Sequence, residues 1–149
     1  MKHLQVLEEM LARARKAPLS EEDLAELEKH NMGLGKTLGM RFTYLGPKEA
    51  RLVAPVTPDT HQPWGVANGG FYASLAESVA SIASVVAGGK PAVGVNNSTD
   101  FIKSTSEGEV EAVATPIQLG RRTHLWNIDI TQGETLLARS TLRTMLLDA

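Results

Sequence analysis

Asn68-Gly69-Gly70-Phe71-Tyr72-Ala73-Ser74-Leu75-Ala76-Glu77-Ser78-Val79-Ala80-Ser81-Ile82-Ala83-Ser84-Val85-Val86-Ala87 is the stretch whose reading decides the fold. Phe71, Leu75, Val79, Ile82 and Val86 recur at spacings of three and four and share one helical face, which therefore points to a core. Ser74, Glu77, Ser81 and Ser84 gather on a second side, and Ala73, Ala76, Ala80 and Ala87 cover the rest. No face suits water, so the helix is expected to be buried, wrapped by a sheet or by a partner subunit. Gly88-Gly89 and Pro91 stop it. From Thr60 to Thr99 the only formally charged residues are Glu77 and Lys90, an isolation that singles out Glu77.

On the N-terminal side, Leu4, Leu7 and Leu11 with Val6 and Met10 predict an amphipathic helix over 2–16, ended by Ala17-Pro18. Ser20 before Glu21, Glu22 and Asp23 is an N-cap with acids in the first turn, and Gly33 is placed as a C-terminal glycine, giving a second helix over about 21–31. Leu38–Leu45 and Ala50–Val56, joined by Gly46-Pro47-Lys48-Glu49, read as a hairpin. Beyond the long helix, Ala92–Ser98, Val110–Thr115, Thr123–Thr131 and Leu136–Leu146 alternate and are joined by glycine-bearing turns, which predicts an antiparallel meander. One buried helix with an antiparallel sheet argues an α+β fold, the sheet curled around the helix. Residues 1–32 are expected to be a helical extension and 33–149 the main domain.

The 149 residues suit one core. A net charge of −2 offers no global field for nucleic acid or an anionic membrane, so neither is expected as a partner. With no cysteine there is no thiolate chemistry, and no His or carboxylate set has metal spacing, so no metal is expected. The Met1-Lys2-His3-Leu4 start leads to Glu8 and Glu9 without an apolar leader, and no run is read as spanning a bilayer; the expected location is cytoplasmic.

His61-Gln62-Pro63-Trp64-Gly65-Val66-Ala67-Asn68-Gly69-Gly70 followed by Ser74-Leu75-Ala76-Glu77 resembles the hotdog-fold acyl-coenzyme A thioesterases of the 4-hydroxybenzoyl-coenzyme A type. The likeness continues through Ala92-Val93-Gly94-Val95-Asn96-Asn97, Glu107-Gly108 and Gly120-Arg121-Arg122-Thr123-His124-Leu125-Trp126, roughly residues 35 to 147. It implies a curved antiparallel sheet around a long central helix, here with extra N-terminal helices. It also implies a homo-oligomer, dimer or dimer of dimers, with active sites at the dimer interface. The implied reaction is hydrolysis of an aryl- or medium-chain acyl-coenzyme A thioester, with coenzyme A part of the substrate and no separate cofactor.

Thioester hydrolysis needs a donor to the carbonyl oxygen and a carboxylate or base that attacks or activates water. Unpaired N–H groups at the helix start, unobstructed at a glycine, suit the first need, and family correspondence selects Gly69. Glu77 is implied by the resemblance to be the nucleophile or general base. It lies eight residues on, about 12 Å along the axis, so both reach one carbonyl only if two subunits contribute. Ser81 matches a hydroxyl that positions the water or carboxylate, and Gln62 a glutamine near the thioester. Asn68 stands where many relatives carry His, and its amide does not titrate near neutral pH. Lys103, Arg121 and Arg122 are candidates for the coenzyme A phosphates, and Trp64 and Phe71, with Tyr72 and Phe101, for an apolar pocket. His124 and Trp126 read as packed strand residues and His61 as a loop histidine with a backbone partner. Two alternatives stand beside the hydrolase: a hotdog protein that binds acyl-coenzyme A without turnover, and a dehydratase on carrier-bound acyl chains.

Overall fold

The long apolar stretch forms a single helix because both of its ends are specified. In the computed structural model, which describes residues 2–148, it runs over Gly69–Gly88. Asn68 caps its start, the side-chain oxygen accepting from the Gly70 N–H at 2.7 Å, and Gly89 ends it at φ +66°. Around it lie α1 (Lys2–Lys16), α2 (Glu21–Lys29), α3 (Gly33–Thr37), β1 (Arg41–Gly46), β2 (Glu49–Pro55), the long helix as α4, β3 (Ala92–Phe101), β4 (Glu109–Leu119), β5 (Thr123–Gln132) and β6 (Thr135–Leu146). Several boundaries differ from the sequence reading: β3 and β4 run longer than expected, and Leu38, expected to open the hairpin, caps the end of α3, so that β1 begins only at Arg41. His30 caps the end of α2, and Gly33, at φ +65°, opens the short α3 instead of closing α2.

The sheet is six-stranded and antiparallel, in the order β1-β2-β4-β5-β6-β3. The meander therefore holds for β4-β5-β6 but not for β3, which crosses to the far edge and pairs with β6. Its outer edge has no partner strand among the described residues. Register shifts at Phe42/Tyr44, Gly94/Asn96, Pro116/Gln118 and Ile130/Thr131 bend the strands. The bent sheet lets α4 touch all six strands. Leu75, Val79, Ala80 and Val86 pack there against Leu52, Trp126, Ile128 and Leu142, all buried, and no residue of α4 after Gly70 is exposed. By length and composition α4 would also suffice to cross a membrane, contrary to the sequence reading, but here it is the core helix.

One polar chain runs through this core. Thr144 Oγ1 and His124 Nδ1 each lie 2.6 Å from Ser84 Oγ, and all three residues are buried. The Gly120 backbone beside the His124 ring favours its protonated form, a smaller effect. Burial is the larger effect and holds the imidazole below its ordinary value of 6.5.

The unfolded chain thus takes up a proton that folded His124 refuses. Stability is complete above 6.5 and declines as pH falls through that value toward the lower folded pKa. Thermal unfolding followed between about pH 7 and about pH 5 should show a shallower loss for His124→Asn than for the parent chain.

Candidate active site

Two cavities flank α4, and the residues singled out in the sequence divide between them. Around its N-terminus a cavity of about 300 Å3 is lined by Gln62, Val66, Gly69, Tyr72, Phe101 and Lys103, among others. The Asn68 N–H donates to the Thr60 carbonyl, the Gly70 N–H to the Asn68 side chain and the Phe71 N–H to the Asn68 carbonyl. The Gly69 N–H is left without a partner among the described residues, at the positive end of the helix dipole. Gly69 is also closely approached: a Cβ there would meet the Phe101 ring at 2.5 Å.

The segment before α4 is shaped to bring Gln62 to the same place. His61 and Ala67 form an isolated bridge, the Gln62 N–H donates to the Val66 carbonyl at 2.8 Å, and Gly65 turns at φ +80°. Inside that turn the Gln62 side-chain oxygen accepts from the Trp64 N–H, which leaves the amide NH2 free to donate. His61 Nε2 lies 2.8 Å from the Ser106 carbonyl, the backbone partner expected for it. Tyr72 is buried, its hydroxyl within no ordinary hydrogen-bond distance of a partner among the described residues, and burial pushes the phenol up.

The second cavity, about 660 Å3, holds Glu77 and Ser81 on one wall. Its other walls come largely from the N-terminal segment, including Leu4, Leu7, Leu27, Met32 and Met40, with Phe42 from β1. The carboxylate of Glu77 rests over Gly94 of β3, where a Cβ would overlap it. Gly94 is thus a close-approach position that the sequence reading quoted without giving it a role. The signal was a glycine inside an alternating strand, which marks either a bulge or a close approach, and Gly94 has both.

The remaining candidates separate. Asn68 acts as the α4 cap through its side-chain oxygen. Phe71 is buried in the core and lines neither cavity, and Trp64 stands 83% exposed away from both, so within one chain neither joins an apolar pocket. Lys103 borders the Gly69 cavity, following the end of β3. Arg121 and Arg122 are exposed in the β4–β5 turn, at the end of the sheet where Gly94, Thr144 and His124 lie in one row. None of the three cations forms an ion pair among the described residues. His124 and Trp126 are buried strand residues, as the sequence suggested. Among the described residues no three His, Asp or Glu side chains converge.

The pattern of the Thioesterase superfamily matches residues 65–138, from the loop before α4 into β6. The Mycobacterium tuberculosis protein Rv1847 is 42% identical over 118 residues, which span 75% of this chain and 84% of that one. The chain belongs to the hotdog-fold thioesterase superfamily. The 1,4-dihydroxy-2-naphthoyl-CoA hydrolase of Escherichia coli is 34% identical over 122 residues, 78% of this chain and 90% of that one. Among solved structures, thioesterase HI1161 of Haemophilus influenzae superposes with a TM-score of 0.78 at 32% identity, covering 87% of this chain and 92% of that one. A hotdog thioesterase is a thioester hydrolase, and the sheet wrapped on α4 is its fold.

Removing the cap should loosen the start of α4. Asn68→Ala is expected to cost about 1 kcal/mol in urea unfolding, and Asn68→Asp to recover most of it.

Proposed function

We infer that this hotdog thioesterase hydrolyses aryl- or medium-chain acyl-coenzyme A thioesters, with Glu77 as nucleophile or general base and the Gly69 N–H as oxyanion donor. The observation that carries this reading is the setting of Glu77, the one charge on α4, in an apolar cavity over a glycine. The attacking oxygen, from Glu77 or from water that it deprotonates, bonds to the carbonyl carbon. Negative charge then builds on the carbonyl oxygen, where an N–H at a helix start is already oriented and costs no rearrangement. The C–S bond breaks: where water attacks, the proton taken by Glu77 passes to the departing thiolate and the free acid is formed directly; where Glu77 attacks, water then cleaves the acyl–Glu77 anhydride, releasing the acid, regenerating the carboxylate and supplying the proton for the thiolate. Gln62, its amide NH2 free, is a second donor in reach of that oxygen's cavity. The Escherichia coli relative, by its name, acts on an aromatic acyl-coenzyme A.

Gly69 and Glu77 lie in separate cavities about 12 Å apart along α4, so one chain holds two half-sites. Lys103 accompanies the first half and the Arg121-Arg122 turn lies at the end of the second. A two-fold pairing of chains along the open edge of β3 would set the Gly69 end of one against the Glu77 end of its partner. That edge exposes Val93 and Val95, and Asp100 is its sole charge. The working unit proposed is therefore a dimer or a dimer of dimers, in keeping with a cytoplasmic hydrolase.

Release of coenzyme A thiol is the direct assay, and a chain without cysteine adds no background to it. Glu77→Gln should reduce kcat by roughly 100-fold or more at unchanged assembly. Gly94→Ala, which crowds the carboxylate out of its place, should lose activity as well. Tight binding with no release of thiol by the parent chain would favour the acyl-coenzyme A binding protein instead. Val95→Lys should lower the mass seen by sedimentation and abolish hydrolysis together, because a charge on the open edge opposes strand pairing.

A further inference from the structure

The three N-terminal helices lie outside the residues matched to the superfamily, yet they close the cavity over Glu77. Met10, Leu11 and Ala14 of α1 are buried in the same core as α4, so α1 is laid firmly along it. It is then tied to the α2 segment at both ends. Arg13 Nη1 donates to Asp23 Oδ1 at 2.8 Å, and near the other end His3 Nδ1 lies 2.7 Å from His30 Nδ1, the rings edge to face. Between these ties, Leu4 and Leu7 of α1 and Leu27 of α2 face Met32, Met40 and Phe42 across the cavity. Asn31 is satisfied within the wall, donating to the Met40 carbonyl at 2.9 Å, and exposed Glu28 and Arg41 keep their charges to the rim.

We propose that the N-terminal helices build the acyl subsite of this enzyme and make it selective for thioesters of bulky aromatic acids over short acyl groups. The inference rests on the functional reading of Glu77. A space of about 660 Å3 is far larger than an acetyl group fills, and a poorly filled apolar cavity returns little of the free energy of burial. The lining chemistry favours rings over saturated chains. Two thioethers, one phenyl ring and the edges of two imidazoles meet there, and sulfur and aromatic edges gain from contact with an aromatic face. The methionines also adapt to rings of different outline.

The test measures kcat/KM of the full chain for naphthoyl-, benzoyl-, octanoyl- and acetyl-coenzyme A, and then of Leu7→Trp, which fills the cavity from α1. The parent chain should prefer the aryl thioesters to acetyl by at least about tenfold, and Leu7→Trp should cut that ratio by a further roughly 10- to 200-fold. A merely structural role for α1 would lower both substrates in parallel and leave the ratio unmoved. Met32→Trp, at an exposed position outside the core, repeats the test where folding is not at risk and should shift the ratio in the same direction. An unchanged ratio in both variants, or a preference for octanoyl over both aryl groups, overturns the inference while hydrolysis itself upholds the functional reading. No hydrolysis of any of the four by the parent chain overturns both.

Discussion

The fold depends on one constraint: a twenty-residue helix with a single charge must be taken out of water on every side. A flat sheet covers one face of a helix and leaves the other wet. Here four register shifts bend the six strands until α4 touches each of them, and α1 covers part of what remains. The same enclosure gives Glu77 its character. A carboxylate among apolar and small side chains has few competing partners, so its reactivity is available to whatever enters beside it. Glycine supplies the room at two places along the helix. Phe101 lies against Gly69 and the Glu77 carboxylate lies over Gly94, so a Cβ at either would force the neighbouring side chain to move.

Much of this was legible in the order of residues. The α4 stripe and its glycine stops carry a period and a boundary that are local properties, and the structure reproduces them from Gly69 to Gly88. The isolation of Glu77 was equally visible, since charge is counted residue by residue. The position of β3 was not. Its alternation showed a strand but not its neighbour, because pairing with β6 joins residues 37 to 54 positions apart and is decided by the curvature of the whole sheet. The helix after His30 was likewise obscured, since Gly33 at positive φ closes one helix or opens another with the same backbone geometry.

Side-chain destinations were the least legible part of the site. Trp64 and Phe71 are both large and apolar and both flank Gly69 in the chain, yet one projects from a glycine turn into solvent and the other fills the core. Asn68 raised a question about missing imidazole chemistry, and its oxygen proves to be engaged in starting the helix. Conversely, the residues that close the Glu77 cavity come largely from the N-terminal helical extension. Their apolar stripe was evident, but a stripe does not say what it will face.

The outer edge of β3 carries a further consequence, for how the chain behaves in solution. Natural sheets protect an open edge with lysine, proline or inward charge, and Ala92–Phe101 has none of these apart from the carboxylate of Asp100 near its end. Two valines stand exposed beside unpaired backbone groups, which is the template that extended chains add to without regard to identity. Left unpaired, this edge favours indiscriminate stacking, and a charge placed on it trades that hazard for solubility.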